Sequence, residues 1–158
     1  MKFKKIALAG LISALVAAPA FSDGHLTEED LTKAMKARQA HMQLYAFNLG
    51  ILGGMAQGEV EYNADVAQAA ADRLAALATM NQGAYWLPGS DSDSLEGSRA
   101  LPAIWEPGSK AGEIGAGMAE GALAMQAAAS TGVEGIQANM RAVGGACGAC
   151  HEDYRKPR

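Results

Sequence analysis

Apolar positions recur along this chain at helical spacing, with no sustained strand-like alternation. Leu31, Met35, Arg38, Met42, Tyr45, Leu49 and Leu52 follow one another in alternating steps of four and three. That is the heptad-like seam of a bundle helix, and Arg38 is its one charged member. Thr27, ahead of Glu28, Glu29 and Asp30, predicts the helix start: the hydroxyl caps free amides and the acids favour the positive end of the dipole. Gly53 and Gly54 weaken this helix, and Gly58 is expected to stop it.

A second helix is predicted from a cap at Asn63 to about Thr79, with Val66, Ala70, Leu74 and Leu77 inward. Ser109 is the predicted cap of a third, in which Ile114, Met118, Ala122, Met125 and Ala129 share a face. Its Gly112, Gly115, Gly117 and Gly121 each cost about 1 kcal/mol relative to Ala, while their small size allows close approach. A fourth helix begins near Thr131 or Gly132, turns Ile136, Met140, Val143 and Cys147 to one side, and is expected to run past His151.

The segment 81–108 joins the second and third helices and carries Pro88, Pro102 and Pro107, a long connection for a compact domain. Tyr85, Trp86, Leu87, Ile104 and Trp105 suggest that its two ends pack on the core. The Gly89–Ser94 run of Ser and Asp is expected to be solvated. The predicted fold is all-α: an up-down-up-down antiparallel four-helix bundle with a long crossover between helices two and three.

Composition agrees. The 158 residues are 49% hydrophobic but only 6% aromatic, which suits one helical domain and argues against a sandwich or barrel. Residues 1–22 stand apart. Lys2, Lys4 and Lys5 precede an apolar stretch from Ile6 to Ala18 and then small residues, the three-part pattern of a cleaved secretory signal. Cleavage is expected before Asp23, with a cut after Ala20 as the alternative. The apolar stretch is short for a membrane anchor, so the expected mature domain is 23–158, exported to the periplasm with no membrane span. Without the first 22 residues the chain has ten Lys and Arg against seventeen Asp and Glu, a formal charge of −7. Nucleic acid, which needs clustered basic residues, is excluded as a partner on this charge.

The sharpest signal is Cys147-Gly148-Ala149-Cys150-His151, which contains both cysteines of the chain. Two thiols three residues apart lie nearly one helical turn from each other, placed to form thioethers with two vinyl groups on one porphyrin edge. The next residue, His151, then offers its imidazole to the iron from one side. Cys-x-x-Cys also occurs as a redox disulfide, but at a helix start after a strand, and no strand pattern precedes it here. Zinc wants four ligands, and only His25 and His41 remain among the histidines. The preferred cofactor is one covalent haem c.

With these residues the chain resembles the cytochrome c′ class of c-type cytochromes, which are four-helix bundles. The resemblance rests on Arg38-Gln39, on Leu101-Pro102-Ala103-Ile104-Trp105 in the crossover, and on the ending Cys147 to Lys156. It implies a haem between the first and last helices with His151 as proximal iron ligand. In high-spin members the distal position, four residues beyond the helix-one Arg, is apolar and the iron five-coordinate. Here it is Met42, a soft ligand that raises the reduction potential, as in the low-spin members. The preferred expectation is therefore a six-coordinate His/Met iron, with core packing as the plain alternative for Met42. His41, the rival ligand, lies about 100° around the helix and is expected at the bundle edge. Met35 and Met55 are expected as filler.

The resemblance also gives Arg38 a haem propionate as partner; a guanidinium snorkelling along the bundle edge is the bland alternative. Arg155 is expected on the His151 face of a continuing helix, and Tyr45 and Tyr154 against haem or core. Function follows from the distal side. A closed His/Met iron makes a non-enzymatic periplasmic electron carrier that serves redox partner proteins. An open five-coordinate iron makes a protein that binds NO or CO. The resemblance further implies a homodimer through the first two helices.

Overall fold

A computed structural model describes residues 26–157; the predicted secretory signal and its cleavage point lie outside them. The described chain forms α1 (Glu28–Ala56), α2 (Ala64–Thr79), α3 (Ala111–Ala128) and α4 (Val133–Tyr154), with short 3-10 turns at Gly83–Tyr85 and Pro102–Trp105. It is an all-α four-helix bundle, as predicted. No helix among the described residues is long and apolar enough to cross a membrane.

The helix ends follow local chemistry. Thr27 and Asp30 form a reciprocal capping box at the start of α1, and Asn63 accepts from the Val66 amide at the start of α2. Gly58, at φ 74°, turns the chain after α1. The predicted cap of α3 is corrected by one residue: the N-cap is Lys110 with no side-chain cap bond, and the Ser109 hydroxyl accepts from Ala111 N. Gly132, at φ 137°, precedes α4. A Cβ at Gly135 would collide with the Ala128 backbone, so the α3–α4 turn closes only around hydrogen.

Successive helices pack in a ring, and α4 returns to α1. At one end Gln137 Nε2 donates to Ala56 O and Tyr62 OH donates to Ala129 O. At the other the crossover folds back over the bundle. The core runs along the axis through Leu52, Leu74, Met125, Ile136 and Val143, all fully buried. Gly121 lets α3 approach the Val143 backbone of α4.

Three expectations are corrected by packing. Val66 is exposed, and Ala67 and Ala71 take the inward positions of α2, because α1 and α3 flank α2 on that side. His41 is 4% exposed rather than at the bundle edge, since α2 and the crossover both cover it. The Ser/Asp run is not uniformly solvated: Ser90 and Asp91 are buried, as is Ser98 beyond it. Their polar groups are used internally, with Asp91 Oδ1 accepting from the Asp93 and Ser94 amides.

Candidate functional site

The last three turns of α4 present Cys147, Cys150 and His151 to one cavity of about 770 Å³. Residues spaced by three and four share a helix face, so the motif's spacing delivers all three side chains together. From α1 the cavity receives Met42 and Tyr45, and from the end of α2 Ala78, Thr79 and Met80. The crossover contributes Gln82, Trp86, Ile104 and Trp105. The α3 wall is built of Gly112, Gly115, Ala111, Ala116 and Ala119, with Ile114 and Met118.

The α3 wall explains a costly feature of the sequence. A Cβ at Gly112 or Gly115 would meet no heavy atom within 4 Å. Those glycines accept poor helix propensity and leave space beside the helix that side chains would fill. The volume lies within the range of about 300–1,000 Å³ typical of cofactor pockets, and the walls are mainly apolar with a few polar groups.

Electrostatics separate the readings of the cysteines. Burial pushes the Cys147 and Cys150 thiols up from the ordinary range. A redox thiol needs the opposite, a stabilised thiolate. Among the described residues no group of three or more His, Cys, Asp or Glu is placed to hold a metal ion. Burial lowers the His151 pKa, and the positive charges of Arg155 and Arg99 push it the same way. The imidazole is thus held neutral, the form that ligates a metal. Two thiols on one edge, an imidazole beside them, a thioether in the same cavity and apolar walls together fit a haem c.

Arg38 departs from the snorkelling alternative. It is 5% exposed and its guanidinium is enclosed by the crossover. Nη1 donates to Tyr85 O (3.1 Å) and Ser90 Oγ (3.0 Å); Nη2 donates to Ser90 O (2.9 Å) and Ser98 Oγ (3.2 Å). The plane lies 4.8 Å from the Trp86 ring, and Trp86 is a cavity wall. The guanidinium does not snorkel along the edge; it reaches the cavity through Trp86. Burial lowers its pKa and Asp91 opposes that shift.

Other expected residues divide. His41 does not line the cavity; it stands edge-on to the Tyr45 ring at 4.7 Å and near Tyr85 at 5.8 Å. Burial lowers its pKa, partly offset by a hydrogen bond with the Leu77 backbone, and its Nε2 is buried with no partner. Tyr45 does line the cavity and accepts from Gln82 Nε2 (3.2 Å). Tyr154 does not: its hydroxyl accepts from the Lys110 amide (2.8 Å) and anchors the start of α3. Arg155 is corrected as well. The helix ends at Tyr154 and Arg155 is extended, paired with Ala100 of the crossover.

Two features were beyond sequence reasoning. Trp105 Nε1 donates to Trp86 O (2.9 Å), which locks both indoles into one wall; their shared segment was the only clue. Arg99 sits near His151 because the crossover pairs with the tail, and nothing in the local sequence announces that pairing.

The family described as Cytochrome C′ matches residues 33–155. Cytochrome c-554 of Cereibacter sphaeroides is 42% identical over 92% of this chain and 94% of its own. Cytochrome c′ of the same organism is 33% identical over 98% of this chain and 99% of its own. Among solved structures, cytochrome c′ from Rhodobacter spheriodes superposes with a TM-score of 0.78 at 32% identity, covering 82% of this chain and 99% of that one.

Proposed function

Because the chain belongs to the cytochrome c′ family, and so carries one covalent haem c, we propose that it is a periplasmic, non-enzymatic one-electron carrier. The observation that carries this reading is the single cavity shared by Cys147, Cys150, His151 and Met42. The bound haem supplies a one-electron ferric/ferrous couple. The chain's own residues attach it by two thioethers, offer a neutral imidazole at His151 and exclude water with Trp86, Ile104 and Trp105. No base or nucleophile with a proton to move is required of the protein. Export rests on the signal-like residues 1–22, which leave 23–158 as the mature domain.

Two readings of the distal side differ in function. Family membership backs the open one more strongly: the matched family and the superposed structure are cytochromes c′, the class whose high-spin members leave iron five-coordinate and able to bind NO or CO. The local observation behind the closed one is that a thioether, Met42, half-buried, faces the same cavity as His151. Thioether ligation would raise the potential and lessen ligand rearrangement on electron transfer. Absorption spectra of both oxidation states, with and without CO, separate them. A low-spin ferric spectrum together with a ferrous spectrum unaltered by CO supports Met42 as ligand, whereas a high-spin ferric spectrum with ready CO binding to the ferrous form makes the protein a gas-binding cytochrome c′. Lack of covalent haem in protein from a host competent in cytochrome maturation would remove both.

For partners, redox proteins of unspecified identity and a homodimer are proposed. The homodimer is supported by exposed Leu44 and Phe47 on α1 and Val66 on α2, apolar side chains on the two helices that the resemblance assigns to self-association.

A further inference from the structure

A second cavity, of about 550 Å³, shares His151 with the first and is also lined by Arg99, Leu101, Glu152, Arg155 and Pro157. Tertiary pairing assembles it. Past the end of α4 the tail runs antiparallel to the crossover, with Ala100 bridged to Arg155. Leu101 N donates to Tyr154 O (2.9 Å) and Lys156 N to Arg99 O (2.8 Å). Arg99 is then aimed by its own side chain, whose Nε and Nη2 both donate to Lys156 O (3.0 and 2.6 Å).

The charges here are not cancelled by contact. Among the described residues the one ion pair within 4 Å is Lys33–Glu29, so Glu152, the only carboxylate lining the cavity, makes no contact ion pair with either guanidinium. The mature chain is otherwise acidic, at a formal −7, and Glu106 and Asp153 are also close in sequence to this rim. A local positive concavity on an anionic protein focuses its field on the approach of a negative group. Guanidinium groups suit carboxylates in particular, through paired N–H donors.

We propose that the Arg99–Arg155 cavity is the docking point for a carboxylate-rich surface of a redox partner, with His151 as the wall across which electrons enter or leave. The proposal rests on the electron-carrier reading. One electron passes between the reduced partner and ferric haem, or from ferrous haem to the oxidised partner, and no bond or proton changes hands. Rim charges of this kind act mainly on association rate.

The test uses the haem-loaded protein and the Arg99→Gln/Arg155→Gln double variant. Binding is read first, without redox chemistry, from backbone NMR shifts on titration with hexacyanocobaltate(III), a redox-inert anion. Shifts confined to 99–101 and 151–156, and lost in the variant, are expected. Electron exchange is then timed with anionic hexacyanoferrate and cationic hexaammineruthenium across ionic strength, with the midpoint potential of each protein measured alongside. The anionic rate should fall as salt rises and drop about tenfold in the variant, while the cationic rate changes less than twofold. An anionic rate that rises with salt, as the net charge alone dictates, or shifts centred elsewhere would overturn the docking site and leave the carrier reading intact. Failure of both reagents to exchange electrons would overturn the carrier reading, and the docking role with it.

Discussion

Arg38 and Ser90, fifty-two residues apart, are joined by two hydrogen bonds, one to the Ser90 hydroxyl and one to its carbonyl. That junction fastens the crossover to α1 behind the Trp86 wall. Arg38→Ala would remove four hydrogen bonds to the crossover, three of them buried, although Ser90 O would still accept from Ser98 Oγ. We expect a loss of about 3 kcal/mol in unfolding free energy, measured by denaturant titration of the haem-loaded protein. Arg38→Lys should recover only part, because a single ammonium cannot reproduce the planar fork. Any propionate contact from Arg38 must use Nε, the nitrogen the crossover leaves free. Equal stability of wild type and Arg38→Ala would show that the crossover is held elsewhere.

Met42→Leu nearly conserves volume and replaces the thioether with a branched aliphatic group that cannot ligate. Under the closed reading, the ferric spectrum should convert to high spin, CO should bind the ferrous form, and the midpoint potential should fall while haem stays attached. Under the open reading the spectra of variant and wild type coincide, and Met42 is a packing residue. Absorption spectra and a redox titration of the pair decide.

The α3 glycines should separate folding from cofactor accommodation. Gly117 is exposed, has open space around it and does not line the cavity, so Gly117→Ala should gain about 1 kcal/mol from helix propensity with an unchanged haem spectrum. Gly115→Leu projects into the space kept beside the cavity wall. Haem content per polypeptide should drop several-fold, although the helix itself is better favoured. Full haem loading of Gly115→Leu would mean that the cofactor does not use that wall.

His41 gives a pH dependence with a definite sign. Burial holds its folded pKa below the ordinary 6.5, so near and below pH 6.5 the unfolded chain binds the extra proton. Stability from the neutral buried ring is present above that pH and is lost as pH falls through 6.5 toward 5. Denaturant midpoints at pH 7.5 and 5 should therefore differ more for wild type than for His41→Gln, which keeps an N–H donor but does not titrate. Equal slopes for the two proteins would place the pH dependence on other groups.

Phe47 is 64% exposed on α1, where a charge costs the monomer little. If the α1–α2 face is covered by a second copy, Phe47→Lys should shift sedimentation from dimer to monomer with its haem spectrum unchanged. A wild-type protein that sediments as a monomer at micromolar concentration would remove that interface.

Local pattern carried far in this chain. The capping box at Thr27, the Asn63 cap and the four helical spans rest on interactions within one or two turns, so they could be read directly. The haem attachment motif is of the same kind: three side chains at spacings of three and four share a face of α4 wherever that helix is placed. The α3 cap falls at Lys110, one residue past Ser109, within the ordinary fraying of helix ends.

Contacts between distant segments were another matter. Arg38 looked like a misplaced charge because its acceptors lie in the crossover, and His41 looked peripheral because Leu77 and Tyr85 supply its cover. Arg99 gave no sign of nearing His151, which depends on the tail pairing with Ala100. A polar side chain states what it needs but not who provides it, since burial and hydrogen-bond partners are set when segments separated by dozens of residues close on one another. Helix period and thiol spacing are properties of neighbouring residues, and so the shared face of Cys147, Cys150 and His151 was written locally; the anchoring of the crossover and the arginine-lined cavity beside His151 came into being only with the folded bundle.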